Sequence, residues 1–410
     1  MKRILFLSVI YLLFSNLVLS QNSNLSAGLN ETVLVLSADS LEGRLTGSIG
    51  EKKAANYLVN QLKSIGVSPF EKQFIFPFSY VYKSNPHDTS SVSSVDITGM
   101  NVVGFLDNGR EQTIVLGAHY DHLGRNEHHN STDINSFGEI HNGADDNASG
   151  VAAALEVARE LVENDVTESS NFIFAFFSGE EDGLVGSKAF LEDNVFQSLK
   201  INCMLNLDMV GRLDSLNKLH VGGFGTSPVF PPTLSTNNLF NLSLAIDSSG
   251  VGPSDHTSFY LKNIPVLFFY TGTHDDYHKP SDDVEKVNFV GLEIITNYVY
   301  SIALSLSSEE SIPFTPSRTI LKSKSRGKIS LGIMPNYISS SKGLQVDGVS
   351  KGKPAEKGGI LAGDIITRIN DCEISDVYAY MDCLSLLNLG DKLNVTVIRN
   401  GKKVKCKVQL

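Results

Sequence analysis

Short, unbroken apolar runs alternate along this chain with segments of helical spacing. Residues 101–106, 113–118, 171–178, 201–209 and 265–270 read as strands. The run at 171–178 does not alternate with polar residues, and such a strand is buried on both faces, as in a parallel sheet covered by helices. Residues 48–66 place Ala54, Ala55, Leu58, Leu62 and Ile65 at helical spacing, with Gly66 as the stop. Further helices are expected at 151–163, from 188 to 194, and near 288–306. The segment 70–96 alternates aromatic and polar residues and predicts an edge hairpin with a loop. Together these features predict an α/β fold, a mostly parallel central sheet flanked by helices. The site of such a fold lies at the C-terminal ends of its strands.

Polar clusters stand at those ends. They are His119-Tyr120-Asp121-His122, Asp145-Asp146-Asn147 before a helix, Glu180-Glu181-Asp182, Asp208 and Asp275-Asp276-Tyr277-His278, with Ser254-Asp255-His256 before the last strand. Taken singly, each has an ordinary explanation. A His-x-Asp is usually a surface pair, Glu-Glu a solvated face, and Asp-Asp-Asn a helix cap. Asp208 is harder to dismiss, because a charge amid apolar residues needs a partner. Occurring jointly at strand ends, two imidazoles and three carboxylates suit two zinc ions if one carboxylate bridges them. One of the adjacent Glu180 and Glu181 would be a ligand and the other a base. Asp121 is placed to accept the second ring N–H of His119. His122, His128, His129 and His141 read as a solvated loop, and His274 has no assigned role.

The first 20 residues pair Lys2 and Arg3 with an apolar stretch from Ile4 to Leu19, the pattern of a cleaved export signal. No other stretch reads as long and apolar enough to cross a membrane. The formal charge is −11; without Lys2 and Arg3 it is −13, an unfavourable balance for nucleic-acid binding. The four cysteines lack zinc-site spacing, and three fall near the C-terminus, where one bridge is expected with its pairing open. From 326 onward 13 basic residues face 8 acidic ones, a reversal of charge after a Ser- and Pro-rich stretch. The chain is therefore read as a signal over 1–20, a first domain over 21–306, a linker over 307–325 and a second domain over 326–410.

The motifs HYDHLG at 119–124, NGADDNASG at 142–150, SGEEDGLVGS at 178–187, NLDMVG at 206–211 and YHKPSDD at 277–283 resemble, in order, those of the dizinc aminopeptidases of peptidase family M28. The resemblance covers about 30–305 and implies a zinc exopeptidase-like fold that removes N-terminal residues from peptides. It implies two Zn2+ per chain, with Asp146 as the bridging carboxylate. Glu181 and His278 would complete one metal position, and His119 and Asp208 the other. Glu180 would be the general base, Asp121 the support of His119, and Tyr277 a group that polarises the scissile carbonyl. The bond from Asp146 to Asn147 would be cis. The alternatives are a single-zinc glutaminyl cyclase, another exopeptidase of the same clan, or a binding ectodomain without catalysis.

Residues 329–410 read as short strands with a helix near 377–387. The run from Pro354 to Ile366, ending in Gly-Asp-Ile-Ile, resembles PDZ domains of bacterial periplasmic proteases. This implies a small β-rich module that takes a C-terminal peptide as an added strand, its carboxylate held near Leu331, Gly332 and Ile333. The expectation is an exported protein of bacterial type, periplasmic or secreted, acting on peptides with a free N-terminus. No nucleic-acid partner and no membrane span after signal cleavage are expected.

Overall fold

The computed structural model describes residues 25–83, 94–133, 135–317, 330–335, 343–349, 352–375, 379–380, 383–384 and 386–410. The signal expected over 1–20 lies outside them, as do residues 318–325 of the expected linker.

The first sheet has nine strands: β1 (Ser68–Pro69), β2 (Ile75–Lys83), β3 (Ser94–Leu106), β4 (Gln112–His119), β5 (Asn171–Phe177), β6 (Lys200–Leu207), β7 (Lys218–Gly222), β8 (Ser243–Ile246) and β9 (Val266–Tyr270). Their order is β1-β3-β5-β4-β6-β9-β7-β8, with β2 paired to β3. The centre, β5-β4-β6-β9, is parallel, and β3 and β7 join it antiparallel on either side. The sheet is therefore mixed at its flanks and parallel where the polar clusters sit.

Strand β5 shows why its sequence is continuously apolar. Phe172, Phe174 and Phe176 enter the core on one side, while Ile173, Ala175 and Phe177 enter the core on the other. Successive side chains point to opposite faces, so a strand covered on both sides has no polar position to spare. The first core packs helices α1 (Leu25–Leu36), α2 (Ile49–Ile65), α3 (Gly150–Glu163), α5 (Phe230–Asn237) and α7 (Phe289–Ser307). The second packs α4 (Val185–Glu192) and α6 (His256–Tyr260). Helix α2 starts at Ser48, whose hydroxyl accepts the Glu51 N–H, and stops at Gly66 with φ 94. Only glycine adopts that left-handed geometry without strain.

Helix α7 corrects one expectation. Among the described residues it is long and apolar enough to cross a membrane by length and composition. Half of its most apolar window is buried inside the protein, and Leu292, Ile295, Val299 and Ile302 are core residues. Its uniform hydrophobicity reflects packing on α3, α5 and the sheet.

The second sheet has six strands: β10 (Ile333–Pro335), β11 (Leu344–Val349), β12 (Ile365–Ile369), β13 (Cys372–Glu373), β14 (Lys392–Arg399) and β15 (Lys402–Gln409). They run in the order β10-β11-β12-β14-β15, with β13 on β12, all antiparallel. Its core is its own and includes Leu331, Leu344, Ile366, Val395 and Val397. A short helix α8 (Pro354–Lys357) follows β11. Of the helix expected near 377–387, Ala379, Tyr380, Cys383 and Leu384 are helical, and 376–378, 381–382 and 385 lie outside the described residues. Cys372 and Cys383 form a disulfide, while Cys203 and Cys406 are buried free thiols. Asp364 of the Gly-Asp-Ile-Ile run accepts two Arg399 N–H groups at 2.7 Å, and the guanidinium holds its carboxyl below the ordinary range against the effect of burial. Strand β10 ends the sheet order, with Leu331 buried just before it. The Gly332 N–H is taken by Ser330 Oγ at 3.0 Å.

Candidate metal centre

The C-terminal ends of β4, β5 and β6 carry His119, the Ser178–Asp182 turn and Asp208 onto one side of the sheet. The loop before α3 supplies Asp146, and the loop after β9 supplies His278. Asn147 ties Asp146 to the end of β6. Its Oδ1 accepts the N–H groups of Gly150 and Met209, and its Nδ2 donates to the Leu207 carbonyl at 3.0 Å. The two residues flanking Asp208 are thus bonded to the residue following Asp146. The Asp146–Asn147 peptide bond is cis, as the resemblance implies.

Asp146 faces two groups at once. Its Oδ1 lies 3.3 Å from His119 Nε2, which is also 3.3 Å from Asp208 Oδ1. Its Oδ2 lies 3.2 Å from His278 Nε2, which is 3.1 Å from Glu181 Oε2. Two donors bound to one tetrahedral zinc, each about 2.0–2.1 Å from it, stand about 3.3 Å apart. The spacing therefore fits two ions sharing one carboxylate, and the nitrogen and carboxylate donors are those zinc accepts. Each ring has its other nitrogen occupied by a backbone carbonyl: His119 Nδ1 by Asp121 at 3.2 Å, and His278 Nδ1 by Asn130 at 3.1 Å. This leaves both Nε2 lone pairs for the centre.

The electrostatics agree with a cation site. Burial alone would lower both imidazoles, yet the carboxylates of Asp208 and Glu180 raise His119, and those of Glu181 and Asp146 raise His278, well above the ordinary value. The carboxylates gathered here favour positive charge at both rings. Glu180 belongs to neither group of donors. Burial, together with Glu181, Asp208 and Asp255, pushes its carboxyl well above the ordinary range against the pull of His119. Its backbone N–H donates to Asp121 Oδ1 at 3.2 Å, while Thr46 Oγ1 donates to Asp121 Oδ2 at 3.0 Å. Asp121 therefore braces the turn that carries Glu180 as well as the His119 segment. Tyr277 stacks on His278 at 3.9 Å, and burial with Asp146 and Glu181 raises its hydroxyl, which stays protonated.

The structure corrects one reading and fills in others. Of the four histidines expected in a solvated loop, only His129 is exposed. His122 and His141 are buried, and His128 places Nδ1 2.8 Å from Asp182 Oδ1. His122 Nδ1 stands 2.8 Å from Glu181 Oε1, in the centre itself. Asp145 is spent on structure: its Oδ1 accepts the Ser149 hydroxyl and the Gly211 N–H, and its Oδ2 faces His274 Nε2 at 3.1 Å. Burial raises Asp255 to about 7, with Asp121 and Asp208 adding to the shift. Arg44 was not singled out from the sequence. It is fully buried and donates to the carbonyls of Leu36, Tyr120, Asn142 and Gly143, bracing the loops on either side of His119 and Asp146.

Comparison with known proteins gives a consistent picture. Residues 101–303 match the model of peptidase family M28, and residues 327–410 match that of the PDZ domain. A probable leucine aminopeptidase of Arthroderma benhamiae is 25% identical over 207 residues, covering 48% of this chain and 55% of that protein. The chain spans about half the length of such relatives. Among solved structures, the LapA aminopeptidase of Legionella pneumophila is similar with a TM-score of 0.54 and 22% identity, covering 71% of this chain and 74% of that one. The glutaminyl cyclase of Porphyromonas gingivalis is similar with a TM-score of 0.56 and 17% identity, covering 68% and 97%. At these identities the structures speak for the fold. Along the chain, a stretch similar to peptidase family M28 is followed by a stretch similar to the PDZ domain.

Proposed function

We propose that the chain is an exported metallo-aminopeptidase that removes N-terminal residues from peptides at a two-zinc site, with Glu180 as general base. The observation that carries this reading is Asp146, whose two oxygens face two separate donor groups at 3.2–3.3 Å. His119 and Asp208 would hold one ion and Glu181 and His278 the other. Two zinc ions held there would supply Lewis acidity toward water and toward the scissile carbonyl. Glu180 takes the proton of the attacking water and returns it to the leaving amine nitrogen. The Tyr277 hydroxyl, kept protonated, donates toward the developing oxyanion. The carboxylates around the site attract the cationic N-terminus. An apolar side chain at the cleaved end is in keeping with the leucine named for the relatives. Export rests on the apolar leader over 1–20. The PDZ domain would add a peptide to the β10 edge.

The test measures zinc content and aminoacyl-p-nitroanilide hydrolysis on the wild type and on Glu180→Gln. The reading expects two zincs per chain in both proteins and a fall in kcat of about 10²–10⁴-fold in the variant. One zinc, with cyclisation of peptides that begin with Gln, would replace it with a glutaminyl cyclase.

A further inference from the structure

Asp121 braces both the His119 segment and the turn that carries Glu181, but the ligands of the two donor groups around Asp146 are oriented by different contacts. His119 takes its orientation from the Asp121 carbonyl, two residues further along the same segment. Asp208 follows β6, and its N–H donates to the Phe269 carbonyl at 3.2 Å. Glu181 and His278 are instead both held by the loop 122–130. His122, fully buried, places Nδ1 2.8 Å from Glu181 Oε1. The Asn130 carbonyl faces His278 Nδ1 at 3.1 Å, and Asn130 Nδ2 is 3.4 Å from the Glu181 carbonyl. Between them, His128 anchors the loop to Asp182, the residue after Glu181.

We propose that this loop sets the affinity of the second metal position separately from the first, with His122 as the positioning residue for Glu181 and the Asn130 carbonyl as that for His278. The inference rests on the two-metal reading above. Distance assigns the role of His122: donors sharing one zinc stand about 3.3 Å apart, whereas an N–H donating to a carboxylate stands about 2.7–2.9 Å from it. At 2.8 Å, His122 donates its Nδ1 proton to Glu181 rather than sharing an ion with it. His122 Nε2 is buried without a hydrogen-bond partner among the described residues, so no second contact competes for the tautomer protonated on Nδ1. With Oε1 held, Glu181 presents Oε2 toward His278 Nε2 at 3.1 Å. The Asn130 carbonyl takes the Nδ1 proton of His278 and aims its Nε2 at the same point. Losing either hold would leave the second position with mobile ligands and the first unchanged.

The experiment is equilibrium dialysis of the full chain against graded free zinc, with metal counted per chain, on the wild type, His122→Phe and His122→Asn. Phenylalanine fills the ring volume without a donor. Asparagine places its amide N–H near the position of Nδ1. The expected result is a wild type that binds two zincs, and a His122→Phe that keeps the first at wild-type affinity while its second affinity falls about 10–100-fold. His122→Asn should recover most of that loss, and the retained first zinc shows that the variants are folded. Wild-type binding of both zincs by His122→Phe, loss of both together, or no recovery in His122→Asn would overturn the proposal. A wild type that binds a single zinc would sink the two-metal reading itself, and this inference with it.

Discussion

At the scale of single residues, the charges buried away from the reacting atoms make the sharpest predictions. Glu156 on α3 is 1% exposed, and burial raises its carboxyl from 4.5 to about 7, with Arg159 at 3.2 Å pulling the other way. A raised carboxyl takes up a proton on folding, so its contribution is fully present below about 4.5 and is lost as pH rises through about 7. Glu156→Gln has no proton to exchange. The wild type should therefore lose about 2 kcal/mol relative to the variant between pH 4.5 and 7, as read from urea denaturation of both proteins across that range. Arg44 makes the opposite case, a cation whose N–H groups meet four backbone carbonyls in the interior. Burial lowers it only to about 10, so it stays charged at neutral pH. Arg44→Met leaves those carbonyls without donors, and denaturant unfolding should show a loss of about 3–5 kcal/mol.

At the scale of elements, the site depends on how closely helix N-termini approach strand ends. Gly186 in α4 sits against the end of β5, where an added Cβ would stand 2.0 Å from the Ser178 carbonyl oxygen and 2.6 Å from Asn101 Oδ1. The first is backbone and cannot swing aside. Gly186→Ala must therefore move α4 or the Ser178–Asp182 turn, which carries Glu180 and Glu181. We expect a loss of about 1–3 kcal/mol in thermal unfolding together with a fall in kcat. A stability loss with kcat unchanged would mean that the helix alone had shifted. Asn147 acts at the same scale, since one side chain bonds the α3 N-terminus to the end of β6.

At the scale of the molecule, each sheet has its own core: the β1–β9 sheet packs α1 to α7, and the β10–β15 sheet packs the residues around Leu331 and Val397. Separate cores predict two calorimetric transitions. The Cys372–Cys383 bridge, with a sequence separation of 11, lies wholly within the second core. A loop of that size stabilises by about 2–3 kcal/mol in the chain-entropy account. A mild reductant should therefore lower only the transition of the second core, by roughly 10 °C. Movement of both transitions would show that the two sheets unfold together.

The amino-acid sequence by itself determined what local burial dictates. The five runs read as strands became β3, β4, β5, β6 and β9, because a buried strand needs an apolar side chain at every position and a helix needs one about every 3.6 residues. The motif residues at the strand ends could be named, since a parallel centre gathers those ends on one side. The short β7 and β8 escaped, being partly exposed and without a clean period. So did α1, although Leu25, Leu29, Val33 and Leu36 lie at helical spacing. Only the tertiary structure decided which polar residues converge. His122 and His129 look alike in sequence, yet one is buried against Glu181 and the other faces solvent. The periods of strand and helix encode which face is buried, whereas the path of a loop and the meeting of residues far apart in the chain follow from the packing of the whole core.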